Sequence, residues 1–187
     1  YTNNVYHIGG CNYFENAVDT TKPFDYIFSG RMSAWGFATW KRAWSQMDLS
    51  MKNWDNEDKE KFLHKWCLTS KQKKLTRKIF DQHCMNPDPW AWSYAWIYAC
   101  WSNDGLCITP TKNLISNIGF SSSATNTKMA NRDIVYIPEK RNVISTLNHP
   151  SDICRDYQFE KKSIKLENTS LLRRMWNKLK SVLFNDV

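Results

Sequence analysis

The chain has 187 residues, with 26 Lys and Arg against 18 Asp and Glu, for a formal charge of +8. Its length suits one domain with a real core, and 42% hydrophobic with 24% charged residues is ordinary for a soluble globular protein. Apolar stretches are short and interrupted, which argues against a transmembrane span. The positive charge favours acidic partners: nucleotide phosphates, nucleic acid or an anionic membrane face. Six cysteines show no C-x-x-C and no paired finger spacing, which argues against structural zinc and for free thiols in a reducing cytosol.

In chain order, Val5 to Ile8 reads as a short strand ended by Gly9-Gly10, and Asp25 to Ser29 as a second apolar stretch ending in Ser29-Gly30. Gly36 precedes a helical pattern of Ala38, Trp40, Ala43 and Trp44. Asp55-Asn56 is expected to cap a helix with Phe62, Leu63, Trp66 and Cys67 on its apolar stripe. Ser70 is expected to cap the next, with Leu75, Ile79, Phe80 and Cys84 on one face, lysines opposite, and Pro87 and Pro89 as the stop. Trp90 to Trp101 is apolar nearly all round, which predicts a buried central helix.

After the Asp104-Gly105 turn, Leu106 to Thr109 reads as a strand and Asn113 to Ile118 as another. Gly119 to Ala130 reads as a mobile loop, and Pro150 opens a poorly patterned tail. A last amphipathic helix carries Leu171, Leu172, Met175, Trp176, Leu179, Val182 and Leu183. Helices outnumber strands and no full strand-helix-strand series appears, so any parallel sheet is partial and the class is α/β.

Ten tryptophans, most of them in the runs Trp35 to Trp44 and Pro89 to Trp101, suggest either a broad aromatic core or a stacking surface for sugar rings or bases. Trp40 with Trp44, and Trp92 with Trp96, have the spacing of core pairs. Trp35 with Gly36 fits a sugar-stacking wall at a helix start as well as it fits packing. Asn113, Asn117 and Gly119 read either as binders of sugar hydroxyls or as strand-end and turn residues. Asp81 with His83 reads as a surface pair. The basic runs, Lys71 to Lys78 and Arg173 to Lys180, fall apart from the Trp runs, which argues against a nucleic-acid binder.

The runs Ile8 to Phe14, Tyr26 to Ser29, Trp35 to Trp44, Trp92 to Trp101 and Pro110 to Thr127, with Asn148-His149-Pro150, keep a distinctive order. In that order the sequence resembles the nucleotide-diphospho-sugar transferases, glycosyltransferases of GT-A type, and within them a bacterial hemolytic-protein-like branch. The resemblance implies the acceptor side of a GT-A fold over 1–150 and a tail with a basic amphipathic helix over 151–187. It implies a nucleotide-sugar donor, a glycan acceptor, and a role in polysaccharide biosynthesis in the cytoplasm or at the inner membrane face. Peripheral membrane contact is expected of the C-terminal helix, and no nucleic acid is expected.

The family holds a divalent metal, Mn²⁺ or Mg²⁺, on an acidic D-x-D-type motif ahead of the segment matched by Ile8 to Phe14. The resemblance therefore places that motif upstream of Tyr1, in a longer reading frame, and no metal ligand within this chain. Aligning Trp92, Tyr94 and Trp96 puts Ser93 where the family has its general-base Asp, with Asp88 as the substitute. The implied substrate-binding residues are Trp35, Gly36, Trp92, Asn113, Asn117, Gly119, Thr125, Asn126 and Thr127. Asn126 stands where the family has His.

Overall fold

The computed structural model describes residues 3–115 and 146–169. It is a mixed α/β structure built on a four-stranded sheet of order β2-β4-β1-β3. The strands are β1 (Val5–Gly9), β2 (Tyr26–Ser29), β3 (Phe37–Thr39) and β4 (Leu106–Pro110). Only β1 and β4 run parallel; β3 on β1 and β2 on β4 are antiparallel. The helices are α1 (Lys41–Trp44), α2 (Lys59–Trp66), α3 (Ser70–Met85), α4 (Trp92–Ser102) and α5, residues 157–169.

Three expected strands thus form where apolar and β-branched residues meet Gly or Pro. The helix expected from Gly36 to Trp44 does not: Phe37–Thr39 is strand, paired His7 to Thr39 and Gly9 to Phe37, and only one turn of helix follows. Sheet pairing has overridden the helical spacing of the aromatics. Two caps shift as well. Asp58, not Asp55-Asn56, accepts the Lys61 amide at the start of α2. Thr69, not Ser70, accepts from Gln72 at the start of α3. Residues 113–115 are not strand. The rest of that expected strand, the loop Gly119 to Ala130 and the last amphipathic helix lie outside the described residues.

The core is aromatic. Ala95, Trp96, Tyr98, Ala99, Cys100 and Trp101 of α4 are buried with Trp54, Leu63, Trp66 and Phe80. Trp66 and Trp101 stack face to face, 5.4 Å apart and 2° from parallel. Their burial follows from α4 being apolar on every side, as its sequence predicts. Three polar tips are placed on partners, Trp101 Nε1 donating to the Gly30 carbonyl (2.8 Å), Trp54 Nε1 to Asp81 (2.8 Å) and Tyr98 to Glu57 (3.1 Å), while the buried Trp66 Nε1 has none among the described residues.

Residues 151–169 join this framework rather than trailing from it. Arg155 bridges β2 at Phe28, and Phe159 of α5 packs with Ala17 and Ile27 in a second, smaller cluster. The Glu160 carboxylate, buried, accepts from Gly30 N (2.7 Å), Ser29 Oγ (3.2 Å) and the Arg155 guanidinium (2.5 and 2.7 Å). Arg155 also donates to the Lys65 and Trp66 carbonyls and lies over the Trp66 and Tyr157 rings. All three guanidinium nitrogens and both carboxylate oxygens of the pair are hydrogen-bonded, which offsets much of its desolvation.

Removing one partner leaves the other charge buried. Glu160→Ala is expected to lower unfolding free energy by about 3–5 kcal/mol in a urea titration. The joint replacement Arg155→Met with Glu160→Met is expected to recover most of that loss. A cost for the joint variant as large as for the single one would refute the assignment.

Candidate functional site

The chain turns tightly from α4 into β4 through Gly105, whose amide donates to the Cys100 carbonyl (2.7 Å). Helix and strand therefore run in opposite senses, and the first turn of α4 lies towards the end of the sheet where parallel β1 and β4 both finish. Ligands of α/β proteins gather outside that end of parallel strands.

Four connections meet there. Gly10, after β1, donates its amide to the Gly36 carbonyl (2.7 Å). A Cβ on Gly10 would sit 2.6 Å from that oxygen, and Gly36 has φ +56°, so both positions need glycine. Asn12 gives its amide to Asn113 Oδ1 (2.5 Å) and its side-chain nitrogen to the Pro110 carbonyl (2.9 Å). The Asn113 amide in turn bonds the Glu15 carboxylate. The loops after β1 and β4 are thereby locked together. At the start of β2, Asp25 holds Asn148 (2.8 Å) and Tyr26 meets His149 Nδ1 (2.8 Å), which docks the Asn148-His149-Pro150 segment beside them.

Aromatic rings complete the site. Trp35 is half-buried and meets Tyr13 edge to face at 5.4 Å. Trp92 stacks on Phe37 (5.5 Å), and Phe37 on His7 (4.9 Å). Burial pushes the Cys11 thiol and the Tyr13 phenol up from their ordinary pKa values, against the opposing pull of the nearby Ser33 hydroxyl. Cys11 is thus a thiol at neutral pH, not a nucleophilic thiolate. His7 accepts from Trp96 Nε1 at Nδ1 (3.2 Å), so its proton sits on Nε2, which lacks a hydrogen bond of good geometry and faces the Ser33 backbone.

The sequence-derived candidates divide. Trp35, Gly36, Trp92 and Asn113 come together at this sheet end, but Gly36 opens a strand, not a helix, and supplies no helix N-terminus. Ser93 is half-buried in the first turn of α4, and among the described residues no carboxylate or imidazole hydrogen-bonds it. Asp88 is exposed and its carboxylate caps the Trp90 amide (2.9 Å), which commits it to holding the turn before α4. Asn117, Gly119, Thr125, Asn126 and Thr127 lie outside the described residues. Among the described residues no group of three His, Cys, Asp or Glu could hold a metal ion.

Other expectations change. His83 is not a surface residue: it is buried with Nε2 on the Leu49 carbonyl (2.9 Å), while Asp81 faces Trp54 and Lys59 on another side of α3. Trp44 is exposed, not core, and shares an aromatic patch with Trp92 and Trp96. All six cysteines are free, four of them buried. Gly10, Asn12, Tyr13 and His7 were not among the candidates, although a Gly-Gly-Cys-Asn run closing a strand is a signal of close backbone approach. A groove of about 270 Å³ lies elsewhere, among Gly30 to Met32, α3, α4 and α5, floored by Ile79, Ile97 and Trp101. It contains none of the candidates.

No protein-family model, no curated protein and no solved structure matches this chain. No helix among the described residues is long and apolar enough to cross a membrane.

Burial lowers the His7 pKa from 6.5 to about 4. A depressed histidine pKa stabilises the fold fully above the unfolded value of 6.5, and that contribution falls away as pH drops towards 4. The effect has a ceiling of about 3 kcal/mol. His7→Asn keeps an acceptor for Trp96 and is expected to flatten stability against pH in that window, read from urea midpoints. An unchanged slope would mean another group titrates there.

Proposed function

We propose that this chain carries the acceptor side of a GT-A glycosyltransferase, which moves a sugar from a nucleotide-diphospho-sugar to a glycan hydroxyl. The observation that supports this best is convergence. Pieces of five sequence runs named by the resemblance, around Gly10, Tyr26, Trp35, Trp92 and Asn113, lie at the end of the parallel strand pair, with His149 beside Tyr26.

In this reading Trp35 and Tyr13 form a wall against which the apolar face of a sugar ring stacks. Gly10 and Gly36 let the two loops beside this wall approach each other closely. Asn12 and Asn113 position that backbone rather than bind sugar freely, since the Asn113 oxygen already holds the Asn12 amide. The chemistry asks for a base that takes the proton of the acceptor hydroxyl as the new glycosidic bond forms and the nucleoside diphosphate leaves. Ser93 has no such capacity alone, and Asp88 is engaged with Trp90. That pair of facts favours a second reading, a non-catalytic carbohydrate-binding protein that keeps the acceptor cleft.

Tryptophan fluorescence titrated with oligosaccharides and nucleotide-sugars tests the proposal. Saturable quenching is expected, weakened roughly tenfold in Trp35→Ala by the loss of one stacking face. A folded protein with no response to either ligand class would sink both readings. In the full reading frame, Ser93→Asp is expected to raise donor turnover by about 10²-fold, the lower end of what a general base supplies. Glycan binding without turnover in either form would select the non-catalytic reading.

A further inference from the structure

Helix α3 turns Phe80 and His83 into the core. On the opposite side, Lys71, Lys74, Leu75, Lys78 and Met85 follow the i, i+3, i+4, i+7 spacing of one helical stripe, and all are exposed. Two of them are large apolar residues with little cover, Leu75 at 56% and Met85 at 78% exposure. Five residues beyond the helix, Trp90 is 89% exposed. Pro87 and Pro89 stiffen that turn, and the Asp88 cap on the Trp90 amide holds it, so the indole stands out by construction.

The neighbouring acids do not neutralise the stripe. Glu60 pairs with Arg77, and Asp81 with Lys59 and Arg77. Lys71 rests on the neutral Asn168 amide. Lys74 and Lys78 make no ion pair among the described residues.

We propose that this face of α3, with Trp90, docks on an anionic phospholipid surface. Lysines with long apolar stems, interleaved with Leu and Met and followed by an exposed indole, match headgroup phosphates above and acyl chains below. Protein interfaces are depleted in Lys and enriched in Arg, and the one Arg beside this stripe is tied to Glu60. A nucleic-acid site would pair its cations with stacking rings rather than with Leu and Met. Apart from Trp90, which precedes Trp92 by two positions, none of these residues belongs to the sheet-end site, and the docking does not depend on what that site binds.

The test is sedimentation of the whole protein with phosphatidylcholine vesicles, with and without phosphatidylglycerol. Binding is expected to the anionic vesicles alone and to weaken as salt is raised. Lys74→Glu combined with Lys78→Glu is expected to cut partitioning at least roughly tenfold, and Trp90→Ala several-fold, both with unchanged circular dichroism. Failure to bind anionic vesicles would overturn the proposal. So would binding that both variants retain, which would place it on another segment. Tighter binding to single-stranded or duplex DNA, lost in the same lysine variant, would also overturn it and assign the face to nucleic acid.

Discussion

The constraint on which the rest of this structure depends is the burial of one carboxylate. Glu160, 1% exposed, has to be surrounded by donors or remain outside. Its donors come from two places: Ser29 and Gly30 at the end of β2, and Arg155 ahead of α5. The same Arg155 reaches the carbonyls that close α2. Satisfying one anion therefore fixes three segments together. Gly30 passes the constraint on, because its amide serves Glu160 while its carbonyl receives the Trp101 indole. The last turn of α4 is thus aimed by a charge that belongs to neither the helix nor its neighbours in sequence.

The direction of α4 then sets what stands at the far end. The helix has 11 residues and β4 has five, about 16 Å each at their respective rises, so the two elements run level. Trp92 arrives at the height of Phe37, where β3 begins against Gly9. The stack of His7, Phe37 and Trp92 fills the space between sheet and helix. It is held apolar by the one titratable ring within it, kept neutral by burial and oriented by the Trp96 N–H. Packing, protonation state and the placing of the aromatic wall are consequences of the same close fit.

Much of this was legible in the residues, and the misses have physical causes. Strands β1, β2 and β4 are short apolar runs closed by Gly or Pro, and α2 to α4 carry clear stripes or all-round apolarity. Strand β3 was hidden because Trp40 and Trp44 keep helical spacing, while the force that extends Phe37–Thr39 is a partner thirty residues upstream. Helix α5 reads as part of a poorly patterned tail because Glu160, one of its fully buried side chains, is a residue type expected in water. At the sheet end, Trp35, Gly36 and Trp92 are visible as local patterns. The Asn12 to Asn113 bond spans 101 positions and joins two residues whose type alone suggests turns. His83 is the same case in reverse: a polar residue near a helix end that the Leu49 carbonyl draws inside.

The groups that shape the sheet end are physically separate from the group that would move a proton. Gly10 is required because a Cβ there would meet the Gly36 carbonyl at 2.6 Å, Gly36 by its φ of +56°, and Asn12 and Asn113 by the need to close two loops. Losing any of these changes where the chain runs. Ser93 closes nothing comparable: it occupies a half-buried first turn of a helix whose placement is set by Trp96, Trp101 and the residues they bond. An Asp at that position would add a charge near a helix start, where the macrodipole favours it, without altering the loops. Changes of shape and changes of charge at this end of the sheet therefore fall on different residues. Under the proposed reading, stacking against Trp35 would not depend on which residue stands at position 93.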